Sequence, residues 1–203
     1  IMKQKVLSGG VLAGGSGARD RVKNDYYATP KYATRQFLEQ LEKDGEALVG
    51  SILEPSCGGG HMSDVLIEFY GEENVTSSDI CDRGYIKQDF TANFLDADFD
   101  MYDNVITNPP FSLASEFIKK SLSISTKKVI MFAKIQLLEG VKRHEMFQNT
   151  PLKYVYVNSS RVATHRNGKE RDENGKKWAT TMCLAWFVWE HGYTGEPIIR
   201  WLK

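Results

Sequence analysis

The chain has 203 residues, enough to enclose the core of one domain and tight for two. A hydrophobic fraction of 41% and a charged fraction of 26% exclude a disordered or fibrous chain. Cys57, Cys81 and Cys183 are too few and too scattered for a disulfide framework or a zinc site, so no metal is expected. No apolar run approaches the roughly 20 residues of a bilayer span, and the first residues lack the apolar core of a signal peptide, so a cytoplasmic location without membrane contact is expected. Net charge is zero, but it is segregated: residues 1–35 carry seven basic and two acidic side chains, residues 36–118 three and seventeen, and residues 119–203 sixteen and seven. An acidic middle between basic ends suits a molecule with one phosphate-attracting face, although a merely solvated surface gives the same count.

In chain order, residues 1–24 hold glycines at 9, 10, 14, 15 and 17 without apolar periodicity, and they read as a flexible arm before a single domain over 25–203. Thr29 and Pro30 predict an N-cap and a first-turn proline for a helix with Ala33, Phe37, Leu38 and Leu41 on one side, closed at Gly45. Val49–Glu54 predicts a strand, Met62, Val65, Leu66 and Phe69 a helix closed at Gly71, and Asn74–Ile80 a second strand. Asp103–Thr107 predicts another strand, followed by a Ser112-capped helix carrying Leu113, Phe117 and Ile118; Lys128–Ala133 predicts a strand and 139–149 a helix. This alternation implies right-handed crossovers, hence a doubly wound α/β domain with a mostly parallel sheet. Lys153–Val157 and Thr181–Trp189 flank a polar stretch with Asn167-Gly168 and Asn174-Gly175 turn pairs, and they predict an antiparallel C-terminal hairpin at the sheet edge.

Three constellations carry chemistry. Ile52 to Gly60 reads Ile-Leu-Glu-Pro-Ser-Cys-Gly-Gly-Gly, a strand entering a glycine turn before a helix. Such a turn lets backbone approach a ligand closely, and in a doubly wound sheet it lies at the strands' carboxyl ends. Asp79, 25 residues after Glu54, ends the next strand, where a carboxylate can accept both hydroxyl hydrogens of a ribose. Asp89 and Phe90 follow in a stretch able to line an adenine pocket; a plain turn, a capping aspartate and an ordinary loop are the bland alternatives for these three. The most discriminating feature is Thr107-Asn108-Pro109-Pro110-Phe111 after a strand and before a helix. Two prolines stiffen that loop and remove two N–H donors, so the Asn108 side-chain oxygen and the Pro109 carbonyl form an accepting edge for an amino group, with Phe111 a flat surface for a planar target.

These residues resemble the amino-methyltransferase family built on the Rossmann-like class I S-adenosylmethionine fold. Asn108, Pro109, Pro110 and Phe111 match the family's catalytic tetrapeptide, Glu54–Gly60 its cofactor loop, and Tyr27-Ala28-Thr29-Pro30 its N-terminal cofactor motif. The motif order resembles the adenine-N6 subgroup, and the chain is similar to compact phage or prophage members, a setting that includes restriction-modification. The resemblance implies methyl transfer from S-adenosyl-L-methionine to adenine N6 in double-stranded DNA. It implies cofactor contacts at Tyr27, Thr29, Pro30, Glu54, Ser56, Cys57, Gly58, Gly60, Asp79, Ile80, Asp89 and Phe90. RNA adenine or a protein glutamine amide is the alternative acceptor; a catalytically silent nucleic-acid-binding module and a nicotinamide oxidoreductase are the rival classes. Only 92 residues follow Phe111, so target recognition is expected to be minimal, or to come from the arm, a second copy, another protein, or the 158–180 loop. That loop carries Arg161, Arg166, Lys169, Lys176 and Lys177 as candidate phosphate contacts, interspersed with Glu170, Asp172 and Glu173.

Overall fold

The structure, a computed structural model, describes residues 26–203; the arm expected at 1–24 lies outside the described residues. The chain runs β1 (Tyr27–Ala28), α1 (Lys31–Lys43), β2 (Ile52–Glu54), α2 (His61–Tyr70), β3 (Val75–Asp79), β4 (Phe90–Thr91), β5 (Tyr102–Thr107), α3 (Ala114–Ser123), β6 (Ser125–Lys134), α4 (Val141–Gln148), β7 (Leu152–Asn158), β8 (His165–Arg166), β9 (Leu184–Glu190) and β10 (Ile198–Leu202). Eight strands form one sheet in the order β10, β7, β9, β6, β5, β2, β3, β4. Neighbours from β6 to β4 are parallel, β9 runs antiparallel to both β6 and β7, and β10 is parallel to β7. No helix among the described residues is long and apolar enough to cross a membrane.

Strand residues alternate between two cores. Ile52, Ile106, Ile130, Phe132, Trp186 and Val188 face the side covered by α1 and α2, where Phe37, Leu38, Leu41, Val65 and Leu66 are buried. Leu53, Val105, Val129, Met131, Phe187 and Trp189 face the other side, covered by Phe117 and Ile118 of α3 and Met146 of α4. Phe37 stacks on Trp186 at 4.3 Å between ring centroids and meets Tyr156 edge-on at 5.4 Å, and each fully buried side chain of this kind contributes ~1.5–3 kcal/mol by leaving water. Because both faces are covered, the strands read as continuous apolar runs.

The C-terminal pair differs from the expectation in one respect. β7 and β9 do pair antiparallel, but β9 lies inside the sheet between β6 and β7, and β10, which the pattern did not reveal, takes the edge. The reason lies in β9 itself: Leu184 to Trp189 are all buried, and a strand without a polar face needs neighbours on both sides. Two caps also differ. Pro30, not Thr29, holds the N-cap position of α1, no side chain caps it, and the buried Thr29 hydroxyl has no partner among the described residues. Ser112 lies within a 3-10 turn at Phe111–Leu113, which takes up the chain reversal before α3, so Leu113 rather than Ser112 is the N-cap.

Ion pairs close the end of the sheet where the parallel strands begin. Glu46 pairs with Lys128 at 3.0 Å and Lys153 at 2.6 Å, and both lysines also reach Glu190. Burial opposes ionisation of Glu46, but the lysine hydrogen bonds prevail and hold its pKa at about 2. The opposite end, where β2, β3 and β5 deliver their carboxyl termini, is left to form a cleft.

Candidate active site

That cleft has an empty volume of about 720 Å³ including its mouth, and residues from the ends of β1, β2, β3 and β5 line it. Of the residues singled out in the sequence, Tyr27, Thr29, Glu54, Ser56, Cys57, Asp79, Ile80, Asn108 and Pro110 share the lining.

Glu54 ends β2 and is 2% exposed. The Ser63 hydroxyl donates to it, and Ser63 is in turn linked to Ser77 at 2.7 Å. Burial raises the Glu54 pKa to about 8, with nearby Asp79 adding to the shift. The glycine turn that follows is drawn against β3: Cys57 N–H donates to the Ser78 carbonyl and Gly58 N–H to Asp79 Oδ2, each at 2.9 Å. Asp79 Oδ1 accepts from Cys81 N–H at 2.9 Å and pairs with Arg83 at 3.5 Å. Two backbone donors and a guanidinium therefore fix the orientation of the Asp79 carboxylate at the cleft wall.

Glycine is required here for a concrete reason. Gly58 and Gly60 have φ of +58° and +76°, and a Cβ would lie 2.3 Å from the Tyr26 ring at the first and 2.1 Å from the Tyr85 ring at the second. Tyr26 covers the turn, its hydroxyl accepting from Gly59 N–H at 2.8 Å and its ring lying 4.2 Å beneath Arg83. The turn is thus packed from outside, and Gly58 and Gly60 shape the cleft without lining it.

Asn108 follows β5. Its Nδ2 donates to the Tyr27 carbonyl at 2.7 Å, a bond that settles which end of the amide is the donor and makes Oδ1 the accepting end. Ser56 and Thr107 hydroxyls meet at 2.5 Å beneath this loop. Pro109 is buried, and Phe111 stacks on Tyr27 at 6.1 Å with the rings 20° apart. Phe111 borders a second cavity of about 560 Å³, together with Lys134, Gln136, Leu137 and Arg143, so the tetrapeptide forms a partition between two spaces.

Asp89 and Phe90 are placed elsewhere. The Asp89 carboxylate accepts from Ser77 N–H at 2.7 Å, Phe90 is 39% exposed on β4, and neither lines the cleft; nor does Pro30. Asn93 and Phe94 stand there instead, because β4 continues the sheet through Thr91 and the chain turns inward only afterwards, with Asn93 Oδ1 accepting from Leu95 N–H at 3.2 Å. Tyr26, His61, Arg83 and Leu113 are further lining residues that motif reading missed. Tyr26 adjoins the Tyr27-Ala28-Thr29-Pro30 match and was within reach of it; the others carry no local signal.

The 158–180 loop folds back on this site. Its β8 pairs antiparallel with β1, Tyr27 opposite Arg166 and Ala28 opposite His165, and Asn167 N–H donates to the Tyr26 carbonyl at 3.1 Å. Asn167 and Gly168, both at positive φ, form the turn by which the chain leaves β8, as their pairing predicts. His165 meets His61 edge-on at 5.8 Å; burial lowers the pKa of both. Some of the loop's charge is used internally: Arg166 lies over Trp178 at 4.9 Å, Lys177 pairs with Glu170 at 3.3 Å, and Arg161 reaches the Thr180 carbonyl at 3.4 Å.

No family model and no curated protein matches the sequence. Solved structures do match. One is a protein named as a candidate RNA methyltransferase from Pyrococcus horikoshii (15% identity, TM-score 0.64, 89% of this chain and 95% of that one). Another is the modification subunit of a candidate type I restriction enzyme from Vibrio vulnificus (14% identity, TM-score 0.59, 85% of this chain and 45% of that one). A third is magnesium protoporphyrin IX methyltransferase from Synechocystis, crystallised with S-adenosylmethionine (16% identity, TM-score 0.51, 78% of each chain). The fold is that of the Rossmann-like class I methyltransferases. In an open α/β sheet ligands are expected in the crevice outside the carboxyl ends of the strands, and the cleft lies at the ends of β2 and β3.

Proposed function

We propose that this protein is an S-adenosylmethionine-dependent methyltransferase acting on an exocyclic amine, with adenine N6 in double-stranded DNA as its acceptor. The observation that carries the reading is that Asn108, its amide turned by the bond to the Tyr27 carbonyl, lines the same cleft as Asp79 and Glu54. The cleft suits the cofactor chemically. Asp79 supplies an oriented carboxylate for a ribose diol, Ile80, Phe94 and Phe117 supply apolar walls for a purine, and Glu54 supplies a buried acid able to ionise opposite a cation. When bound there, the cofactor supplies an electrophilic methyl group on a sulfonium.

The chain's own residues then act on the acceptor. The Asn108 Oδ1 and the Pro109 carbonyl accept the two amine hydrogens, which draws the nitrogen toward tetrahedral geometry and exposes its lone pair. Proline at 109 and 110 keeps competing N–H donors out of that edge. Phe111 offers a face to the base, and reaching it requires the nucleotide to leave the helix stack. Positioning and exclusion of water supply the acceleration, since the tetrapeptide holds no strong base, and the proton leaves after transfer. The alternative acceptors, RNA adenine and a protein amide, keep the same chemistry. Lys169, Lys176 and Lys177 of the loop folded against β1 are proposed phosphate contacts, together with Arg161 and Arg166.

The test measures transfer of labelled methyl groups to unmethylated duplex DNA, to RNA and to total protein. Label in DNA adenine at N6, abolished by Asn108→Ala with cofactor affinity within about threefold of the parent, is the expected result. Label in protein or RNA alone would displace the acceptor, and loss of cofactor binding in the variant would displace the role given to Asn108.

A further inference from the structure

Tyr26 touches three parts of the molecule that lie far apart in the sequence. Its hydroxyl accepts from Gly59 N–H at 2.8 Å and so holds the glycine turn at the middle of its three glycines. Its ring lies 4.2 Å beneath the Arg83 guanidinium, whose Nε is 3.5 Å from Asp79 Oδ1. Its carbonyl accepts from Asn167 N–H at 3.1 Å, and the next residue, Gly168, packs so closely on the Tyr26 hydroxyl that a Cβ there would lie 2.6 Å from it. The loop that brings these two residues is rooted in the protein: Val162 and Thr164 are buried, and His165 and Arg166 pair with β1. Gly168 is thus a fixed backstop for Tyr26, and one residue further on Lys169 stands exposed. Tyr26 also lines the cleft beside Asp79 and Arg83.

We infer that Tyr26 is a positioning residue for the cofactor, clamped by the ribbon at 165–168: it holds Gly59 and, through Arg83, Asp79 in the arrangement that binds S-adenosylmethionine. This rests on the reading of the cleft as the cofactor's seat. Three consecutive glycines have more conformational freedom than any other backbone, so a turn left free must be ordered when a ligand binds, and that ordering lowers affinity. Tyr26 orders it beforehand, because Gly59 N–H is already bonded and the ring closes off the space beside Gly58. Hydroxyl and ring have separable parts in this. The hydroxyl fixes the turn, and the ring face holds the guanidinium that, with two backbone N–H groups, orients Asp79. Gly168 keeps the hydroxyl seated by filling the space into which the side chain would swing. The loop proposed to meet phosphates and the turn that meets the cofactor are therefore joined at one side chain.

Tyr26→Phe, Tyr26→Leu and Gly168→Ala, with Tyr26→Phe and Gly168→Ala also combined, test this in the full chain by calorimetry with S-adenosylmethionine, methyl-transfer kinetics and thermal unfolding. Tyr26→Phe removes one hydrogen bond, worth roughly two- to twelvefold. Cofactor affinity should fall and KM for the cofactor rise by that factor, with the loss absent from kcat at saturating cofactor. The midpoint should fall by no more than about 4 °C, since water can take the N–H of half-buried Gly59. Tyr26→Leu, which also takes the ring from Arg83, should weaken binding by a further factor of roughly two to five. Gly168→Ala drives the hydroxyl off Gly59, so it should weaken binding more with tyrosine at 26 than with phenylalanine, the strain of alanine in the ribbon being common to both backgrounds. Three results overturn the inference while the proposed function stands: a Tyr26→Phe affinity equal to or above the parent's, a loss confined to kcat, or the same Gly168→Ala penalty in both backgrounds. If the parent itself binds no S-adenosylmethionine, both fail together.

Discussion

Replacing Glu54 by glutamine separates the electrostatic cost of a buried acid from its use. Glu54 is 2% exposed and its pKa is raised from 4.5 to about 8, chiefly by burial. The folded chain therefore keeps a proton that the unfolded chain releases near pH 4.5. The stability this gives is fully present below pH 4.5 and is lost as pH rises through 8. A shift of that size corresponds to ~5 kcal/mol, of which about 2 kcal/mol is already lost at pH 6. Glutamine carries no charge at any of these pH values and can still accept from Ser63. Below pH 4.5 the variant and the parent should melt together; at pH 6 the variant should already melt roughly 4–8 °C higher and at pH 9 roughly 10–20 °C higher, since about 1 kcal/mol moves the midpoint of a chain this size by 2–4 °C. Thermal unfolding of ligand-free protein at pH 6, 7.5 and 9 reads the difference directly, because every other titrating group is common to both chains. A difference in midpoint that does not grow with pH would refute the argument. Addition of S-adenosylmethionine should then reverse the order, raising the parent's midpoint and not the variant's.

Other perturbations test separate parts of the site. Asp79→Asn turns an amide NH₂ or a weaker acceptor toward the N–H groups of Gly58 and Cys81, both now 2.9 Å from the carboxylate; leaving one of them unsatisfied costs ~1–3 kcal/mol, so cofactor affinity by calorimetry should fall at least tenfold, and an unchanged affinity would remove Asp79 from the cofactor site. Gly60→Ala puts a Cβ 2.1 Å from the Tyr85 ring at a φ of +76°, which adds roughly 1–2 kcal/mol of backbone strain to the clash; circular dichroism should show a lower midpoint, and a neutral substitution would mean the turn is less tightly packed than described. Simultaneous Lys169→Ser, Lys176→Ser and Lys177→Ser should lower the salt slope of DNA binding by up to about three; an unchanged slope would make the loop a cover for the cofactor side alone.

Much of this architecture was legible because the signals are local. A strand running into glycines at positive φ, a carboxylate ending the next strand, and paired prolines after a third each specify a backbone shape within a few residues, and the structure brings Glu54, Asp79 and Asn108 to one cleft. The parallel sheet followed from alternation of element types, which needs no knowledge of contacts. Strand order is different. Nothing in Leu184–Glu190 says that it inserts beside β6, yet its lack of a polar face was sufficient to exclude the sheet edge, and that inference was available from the residues alone.

The parts that stayed hidden are those set by pairing at long range. β1 and β8 are two residues each, too short for any periodicity, and they form only because Tyr27–Ala28 and His165–Arg166 meet across the folded molecule. The consequence reaches the chemistry. Asn108 is oriented by the carbonyl of Tyr27, Tyr27 is held by its ladder to Arg166, and the glycine turn is covered by Tyr26, whose carbonyl accepts from Asn167. A loop that reads as a solvated hairpin tip is thereby part of the support for the accepting edge. The cleft wall that follows β4 shows the same limit: Asp89-Phe90 and Asn93-Phe94 are alike in composition, and the choice is made by the ladder of β4 on β3, which commits Asp89 to Ser77 and carries the chain past Thr91 before it turns in. Residue type named the candidate groups; backbone pairing decided which of them face the cleft.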